Sequence, residues 1–234
     1  MIRDLLLVLA IALAAGAARA HDLWLEKEDG GLGLHYGHKH SSHGGATFVD
    51  YKVEWVREAL CFDASGARIP FQSEESYPYR MQGECAVALV SISSGYWTKT
   101  PYGTENVAKD QARMPVKSWL SYDSVKRIDH WTESLANPLA GGLELTPLED
   151  PLSLRKGKKL HLRVTFDGRP VEDADVAYDG KPRGRPGPDG AINIRLRHGG
   201  FQVIQASLTR SITSEKADEV IHSTNLNFEL PEER

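Results

Sequence analysis

The sequence predicts a mainly β fold built as two β-sandwich-like domains, the second immunoglobulin- or prealbumin-like. Three observations predict it. Glycine is abundant, with 21 residues, and 12 prolines accompany it, so turns recur too often for long helices. Segments such as GLGLHY (31–36) and KLHLRVTF (159–166) alternate apolar and polar residues with a period of two, as half-buried strands do. In the second half, such runs are separated by short turns rich in Gly, Asp and Pro, which is the spacing of a small sandwich.

The elements follow in order. Residues 1–20, MIRDLLLVLAIALAAGAARA, carry a positive charge at Arg3, an apolar run from Leu5 to Ala15 and small residues at Ala18 and Ala20. This is the pattern of a secretory signal peptide cleaved after Ala20. The apolar run is short for a membrane span. The mature chain is therefore expected to begin at His21 and to reside in the periplasm. In residues 31–36, Leu32, Leu34 and Tyr36 point one way and His35 the other. ATFVDYKVEWV (46–56) reads as a strand or strand pair, ECAVALVSI (84–92) as a largely apolar strand, and SGYWTKTPYG (94–103) as a strand entering a turn. These belong to a first domain at 21–145. Residues 104–140 are more polar and weakly periodic, so an irregular, partly helical excursion is expected there. A second domain is placed at 149–234. In its first strand Leu160, Leu162, Val164 and Phe166 form the inner face, leaving His161 outside. VEDADVAY, AINIRL, GFQVIQASL and DEVIHSTNLNFEL supply the further strands.

The charge of −4, from 28 basic and 32 acidic residues, gives no reason to expect nucleic acid or a membrane surface as partner. Cys61 and Cys85 are the two cysteines. In an oxidising compartment their simplest reading is one disulfide, worth roughly 3–4 kcal/mol through loop closure. Nothing resembling C-x-x-C supports a thiolate metal site instead.

The strongest chemical signal is histidine. Five of the nine, His21, His35, His38, His40 and His43, fall between residues 21 and 43. Imidazole suits Ni²⁺, Co²⁺, Cu²⁺ and Zn²⁺, whereas Ca²⁺ and Mg²⁺ select oxygen. A histidine at the first position also offers its α-amine, so ring and amine together can chelate one ion. His38 and His40 share a side if the chain there is extended, with His35 and His43 of opposite parity. The candidate ligands are thus His21, His38 and His40, with His43 as a further one. Asp22 and Glu26 are candidates to orient a ligand ring. His130, beside Asp129 and Trp131, is a candidate to approach from another side. Because nitrogen ligands must lose their protons, affinity is expected to fall through the imidazole range. Read alone, a loop rich in Gly, Ser and His also fits adventitious metal binding. No G-x-S-x-G, P-loop, dinucleotide fingerprint or H-E-x-x-H occurs; no catalytic residue is assigned, and a binding protein is expected rather than an enzyme.

Several stretches carry a family resemblance. HDLWLE directly follows the leader, YGH follows the first strand, and GYWTKT comes later. Residues 142–176, GLELTPLEDPLSLRKGKKLHLRVTFDGRPVEDADV, are the most specific. Together they resemble a bacterial family of exported proteins of unknown function associated with nickel and cobalt uptake, described as periplasmic nickel-binding components of energy-coupling-factor transporters. The resemblance spans most of residues 21–209. It implies a β-rich protein that binds Ni²⁺ outside the membrane through His21 and His38 and passes it to a membrane transporter. It does not choose Ni²⁺ over Co²⁺, and it does not map His40 or His43. Two other classes fit a terminal histidine: a copper carrier, and a copper-dependent oxidative enzyme acting on glycans. A β-sandwich adhesion or carrier protein with incidental histidines is the blandest.

Overall fold

The computed structural model describes residues 21–39 and 47–232. His40 and His43, and the leader segment, lie outside the described residues. The chain begins with β1 (Asp22–Glu28), β2 (Gly31–His38), β3 (Thr47–Phe48), β4 (Val56–Phe62), β5 (Arg68–Ile69), β6 (Gln72–Glu74) and β7 (Arg80–Gln82). It continues through β8 (Val87–Thr100), β9 (Gly103–Glu105), β10 (Lys117–Ile128), β11 (Leu143–Pro147) and β12 (Lys159–Phe166). The last elements are β13 (Arg169–Pro170), β14 (Asp175–Tyr178), β15 (Lys181–Gly184), β16 (Ala191–Arg195), β17 (Gly200–Ser211) and β18 (Glu219–Leu230).

The described residues form three sheets. One has the order β1-β2-β7-β6, with β3 on β2. A nine-stranded sheet runs β15-β14-β17-β18-β10-β8-β4-β5, with β9 on β8, and the third runs β11-β12-β13, with β16 on β12. Strands β10 and β18 pair in parallel over nine residues, from Trp119 opposite Glu219 to Arg127 opposite Asn227.

The nine-stranded sheet is the middle layer, and side-chain parity shows why. Leu60, Phe62, Val87 and Leu89 pack into one core with Leu143, Leu160, Leu162 and Val164 of the third sheet. Their neighbours Cys61, Ala88 and Val90 pack into the other with Leu23, Leu25, Leu34 and Met81 of the first. A strand buried on both faces needs a nearly continuous apolar run, which is what AVALV (86–90) provides. The mainly β expectation holds in a sandwich-type stack of three sheets with two cores sharing one wall, and that wall joins β10 to β18 across the boundary placed at 145–149.

The excursion expected at 104–140 requires correction. It contains β10, twelve residues long and central to the middle sheet, with only short 3₁₀ turns at Lys109–Gln111 and Glu133–Leu135. Polar residues at buried positions conceal this strand. Lys126 and Arg127 are both buried. Lys126 forms an ion pair with buried Glu144, whose carboxylate also accepts from the Leu139 and Ala140 N–H groups. Arg127 pairs with Asp129 and with Glu229 at 2.7 Å.

Arg127 and Asn227 also fix β1. That strand is an edge of its sheet. The Leu25 N–H donates to Asn227 Oδ1 at 3.2 Å, and the Leu25 carbonyl accepts from Arg127 Nη1 at 2.9 Å. Two buried side chains of the middle sheet thereby stand in for a neighbouring strand. The expected disulfide is present: Cys61 of β4 and Cys85, just before β8, are bonded with a Cα–Cα distance of 5.3 Å.

Candidate metal centre

Antiparallel pairing builds the centre. Leu23 lies opposite Tyr36 and Asp22 opposite Gly37; one step further along β1 brings His21 level with His38. The two imidazole centroids are 4.9 Å apart with their planes tilted by 41°. Tyr36 shares parity with His38, so its ring joins them: its centroid is 4.9 Å from that of His21, and its hydroxyl is 3.2 Å from His21 Nδ1. All three side chains are partly buried at the end of the sheet face whose inner residues, Leu23, Leu25, Leu32 and Leu34, form the first core. Burial, and then the charge of His38, hold His21 below the ordinary histidine range, which favours the neutral, ligating form.

Gly37 makes this geometry possible. Its φ is +144°, and a Cβ there would fall 2.0 Å from the Thr47 carbonyl oxygen of β3. Only glycine permits so close an approach.

The opposite face of β1 and β2 does something else. His35 Nε2 is 3.0 Å from Glu28 Oε1, and its ring packs beside Trp24 and Phe48. Asp22 and Glu26 share this parity and turn away from the His21 face. Asp22 Oδ2 accepts from the Lys39 N–H at 3.1 Å, and Glu26 Oε2 accepts from Lys39 Nζ at 2.8 Å. The two carboxylates expected to orient a ligand ring thus hold the residue that follows His38. His130 is not brought near. It follows Asp129, which pairs with Lys27 at 3.2 Å, six residues along β1 from His21. At a strand rise of about 3.3 Å per residue, that is roughly 20 Å away. A cleft of about 580 Å³ around Glu28, Gly30, Glu74 and Arg80 likewise lies at the far end of β1.

Beneath His21 and Tyr36 the middle sheet turns polar, a feature the sequence reading missed. Asp123 of β10 lies opposite Ser223 of β18, and Asn225 lies opposite Gln205 of β17. Gln205 Nε2 reaches the His21 carbonyl at 3.5 Å. Asp123 accepts a hydrogen bond from Ser121 Oγ at 3.1 Å. Burial pushes its carboxyl up to about 6, against the opposing hydrogen bonds from Ser121 and Ser223. Burial, and then the charge of Asp123, push the Tyr36 phenol well above its usual value. Asn225 is fully buried, and among the described residues neither polar atom of its amide has a partner.

Among the described residues, no group of three or more His, Cys, Asp or Glu side chains stands close enough to hold an ion. His21 and His38 form a pair, and any further donor supplied by the described residues must be of another kind. The model of a family described as a domain of unknown function, DUF4198, matches residues 18–210. The chain belongs to this family. No curated protein and no solved structure matches it. The DUF4198 match takes in His21, Tyr36, His38, Asp123 and Gln205 but stops short of β18, and so of Ser223 and Asn225.

The remaining histidines sit elsewhere. His161 is exposed and pairs with Glu149 at 2.8 Å. His198 lies in a turn, 2.8 Å from Asp179. His222 stacks on Tyr122 with a 5.3 Å centroid distance and meets the edge of Phe166. No helix among the described residues is long and apolar enough to cross a membrane.

Proposed function

We propose that the processed protein is a periplasmic carrier of a divalent transition-metal ion, Ni²⁺ foremost, which it captures at its amino terminus and delivers to a membrane uptake transporter. The observation that supports this reading is the juxtaposition of His21 and His38, 4.9 Å between ring centroids. Nitrogen ligands stand about 2.0–2.1 Å from a metal such as zinc, so two imidazoles this close can share one ion. Cleavage after Ala20 would add the His21 α-amine, completing a three-nitrogen set without a carboxylate. That set suits Ni²⁺ and Co²⁺. The ion is cargo, and the resemblance to nickel- and cobalt-uptake components supplies the transporter as recipient. The reading rests on His21 and His38; His40 and His43 lie outside the described residues.

Titration of protein exported by its own cell with Ni²⁺ tests the reading. One equivalent is expected to bind. His21→Ala, or protein retaining an initiating Met before His21, is expected to bind at least about tenfold more weakly. Equal affinity in all three forms would remove His21 from the centre.

A copper carrier is the second reading, favoured by the same nitrogen set, because Cu²⁺ outranks Ni²⁺ at most such sites. Metal analysis of protein isolated from cells, rather than competition in the tube, separates the two. Oxidation of a glycan by the copper-loaded protein with a reductant would instead support the enzymatic class.

A further inference from the structure

We propose that Tyr36 contributes its phenol oxygen to the ion held by His21 and His38, and that Asp123, buried in the middle sheet behind Tyr36, is the counter-charge of the loaded centre. This deepens the metal-carrier reading and rests on it.

Three observations lead here. The Tyr36 hydroxyl lies 3.2 Å from His21 Nδ1, at the very nitrogen that would close a chelate with the α-amine. An ion bound by that nitrogen enters the space between the ring and the hydroxyl. Tyr36 and His38 project from the same face of β2 and are separated only by Gly37, whose backbone is pressed against Thr47. The two donors are therefore set by one rigid stretch of strand.

The second observation concerns charge. Two imidazoles and an amine are neutral donors, so the ion keeps its full double charge in a partly buried position. Burying an uncompensated charge is costly. Asp22 and Glu26, the nearest carboxylates in sequence, face the other side of β1 and are engaged with Lys39. Asp123 is the carboxylate that the middle sheet places at this end: its partner Ser223 is two residues from Asn225, whose own partner Gln205 reaches the His21 carbonyl at 3.5 Å. Asp123 is held there by Ser121 and lies in register with Ser223.

The third observation is that this polar floor is not explained by packing. On the same face Arg127 and Asn227 brace β1, whereas Asp123 is bonded by Ser121 of its own strand and neither polar atom of the Asn225 amide has a partner among the described residues. An apolar floor would serve the fold at least as well, since removing paired or polar groups from a core is often stabilising. A polar floor beneath the first residue fits a centre that must accept a cation. Asp123 does not touch the ion in this arrangement; it acts through Tyr36 and is a positioning residue.

The test uses exported, processed protein with Co²⁺ alone for spectra and Ni²⁺ alone for affinity. Tyr36→Phe removes only the hydroxyl, and Asp123→Asn removes only the charge. Tyr36→Phe is expected to shift the visible cobalt bands, because one oxygen donor is lost. Asp123→Asn is expected to weaken Ni²⁺ binding about tenfold while leaving the heat-unfolding midpoint of the metal-free protein undiminished. In wild-type protein with ¹³C-labelled tyrosine rings, Co²⁺ is expected to produce one strongly hyperfine-shifted tyrosine, a readout that needs no variant. Unmoved cobalt bands in Tyr36→Phe, or no shifted tyrosine, would overturn the ligand assignment. Unchanged Ni²⁺ affinity in Asp123→Asn would overturn the counter-charge. If either happens while His21→Ala still weakens Ni²⁺ binding as expected above, the carrier reading stands and this inference alone falls. If wild-type processed protein binds neither ion, both fall.

Discussion

Asp123 and Gly37 show how single residues set the surroundings of His21 and His38 at the expense of local comfort. In the folded chain Asp123 keeps its proton up to about pH 6, whereas an unfolded aspartate releases it near about 3.9. The folded state therefore binds more protons in that interval. The contribution of this group to stability is fully present below about pH 3.9 and is lost as the pH rises through 6. Asp123→Asn should accordingly stabilise the metal-free protein by about 2–3 kcal/mol at pH 7.5 and by almost nothing at pH 4. Urea unfolding at the two pH values measures the difference. Gly37→Ala should act the other way. Its φ of +144° and the 2.0 Å approach of Thr47 oxygen leave no room for a methyl group. A loss of about 1–3 kcal/mol is expected, together with weaker Ni²⁺ binding, because Tyr36 and His38 flank the displaced residue. Part of this was legible in the sequence. Parity along GLGLHY put Tyr36 with the leucines and His35 opposite, as the pairing of β1 with β2 shows. The Tyr36 phenol carries no signal of its own beside so dense a run of histidines. Asp123 and Gln205 carried no local signal, since only the pairing of distant strands brings them under His21.

At the level of elements, alternation exposed the strands GLGLHY and KLHLRVTF, which became β2 and β12. It failed for β10, because that strand buries charge. Lys126 and Glu144 are both almost inaccessible, with side-chain exposures of 2%, and the pair reads in sequence as solvated surface. Breaking it should therefore be severe. Lys126→Ala leaves Glu144 buried without its cation and should cost about 3–5 kcal/mol. Lys126→Met combined with Glu144→Gln should recover most of that, since glutamine keeps an acceptor for the Leu139 and Ala140 N–H groups and leaves no charge behind. Equilibrium denaturation of the single and double variants checks the prediction. An equal loss in both would mean that the ion pair itself, not the stranded carboxylate, carries the effect. The strand pattern of β1 was likewise hidden. Its outer face is occupied by Trp24, which is fully buried, so HDLWLE shows no polar alternation.

The whole molecule depends on its shared wall. Composition and turn spacing announced a β protein with two cores, but not that one sheet would serve both. That information lies in the parallel pairing of β10 with β18, a contact between residues about a hundred positions apart. The family match ends at residue 210, yet β18 supplies Leu226, Phe228 and Leu230 to one core. A chain ending at residue 216 should therefore fail to fold cooperatively, giving a broad, low-amplitude calorimetric transition. The disulfide acts at the same scale. Cys61 and Cys85 are separated by 24 positions, and replacing both with serine should cost about 3 kcal/mol through the freed loop. For a protein of this length that lowers the melting temperature by roughly 6–12 °C.

The cross-bracing of β1 has a consequence for assembly. A border strand with idle amides invites a foreign strand to continue its ladder. Here the Leu25 amide and carbonyl are already engaged by Asn227 and Arg127, and the His21 carbonyl faces Gln205. The flank of the molecule that bears His21 is thereby closed to recruitment by β-addition at Leu25, and on the carrier reading proposed above a recipient would approach from the open end of the hairpin rather than along its side.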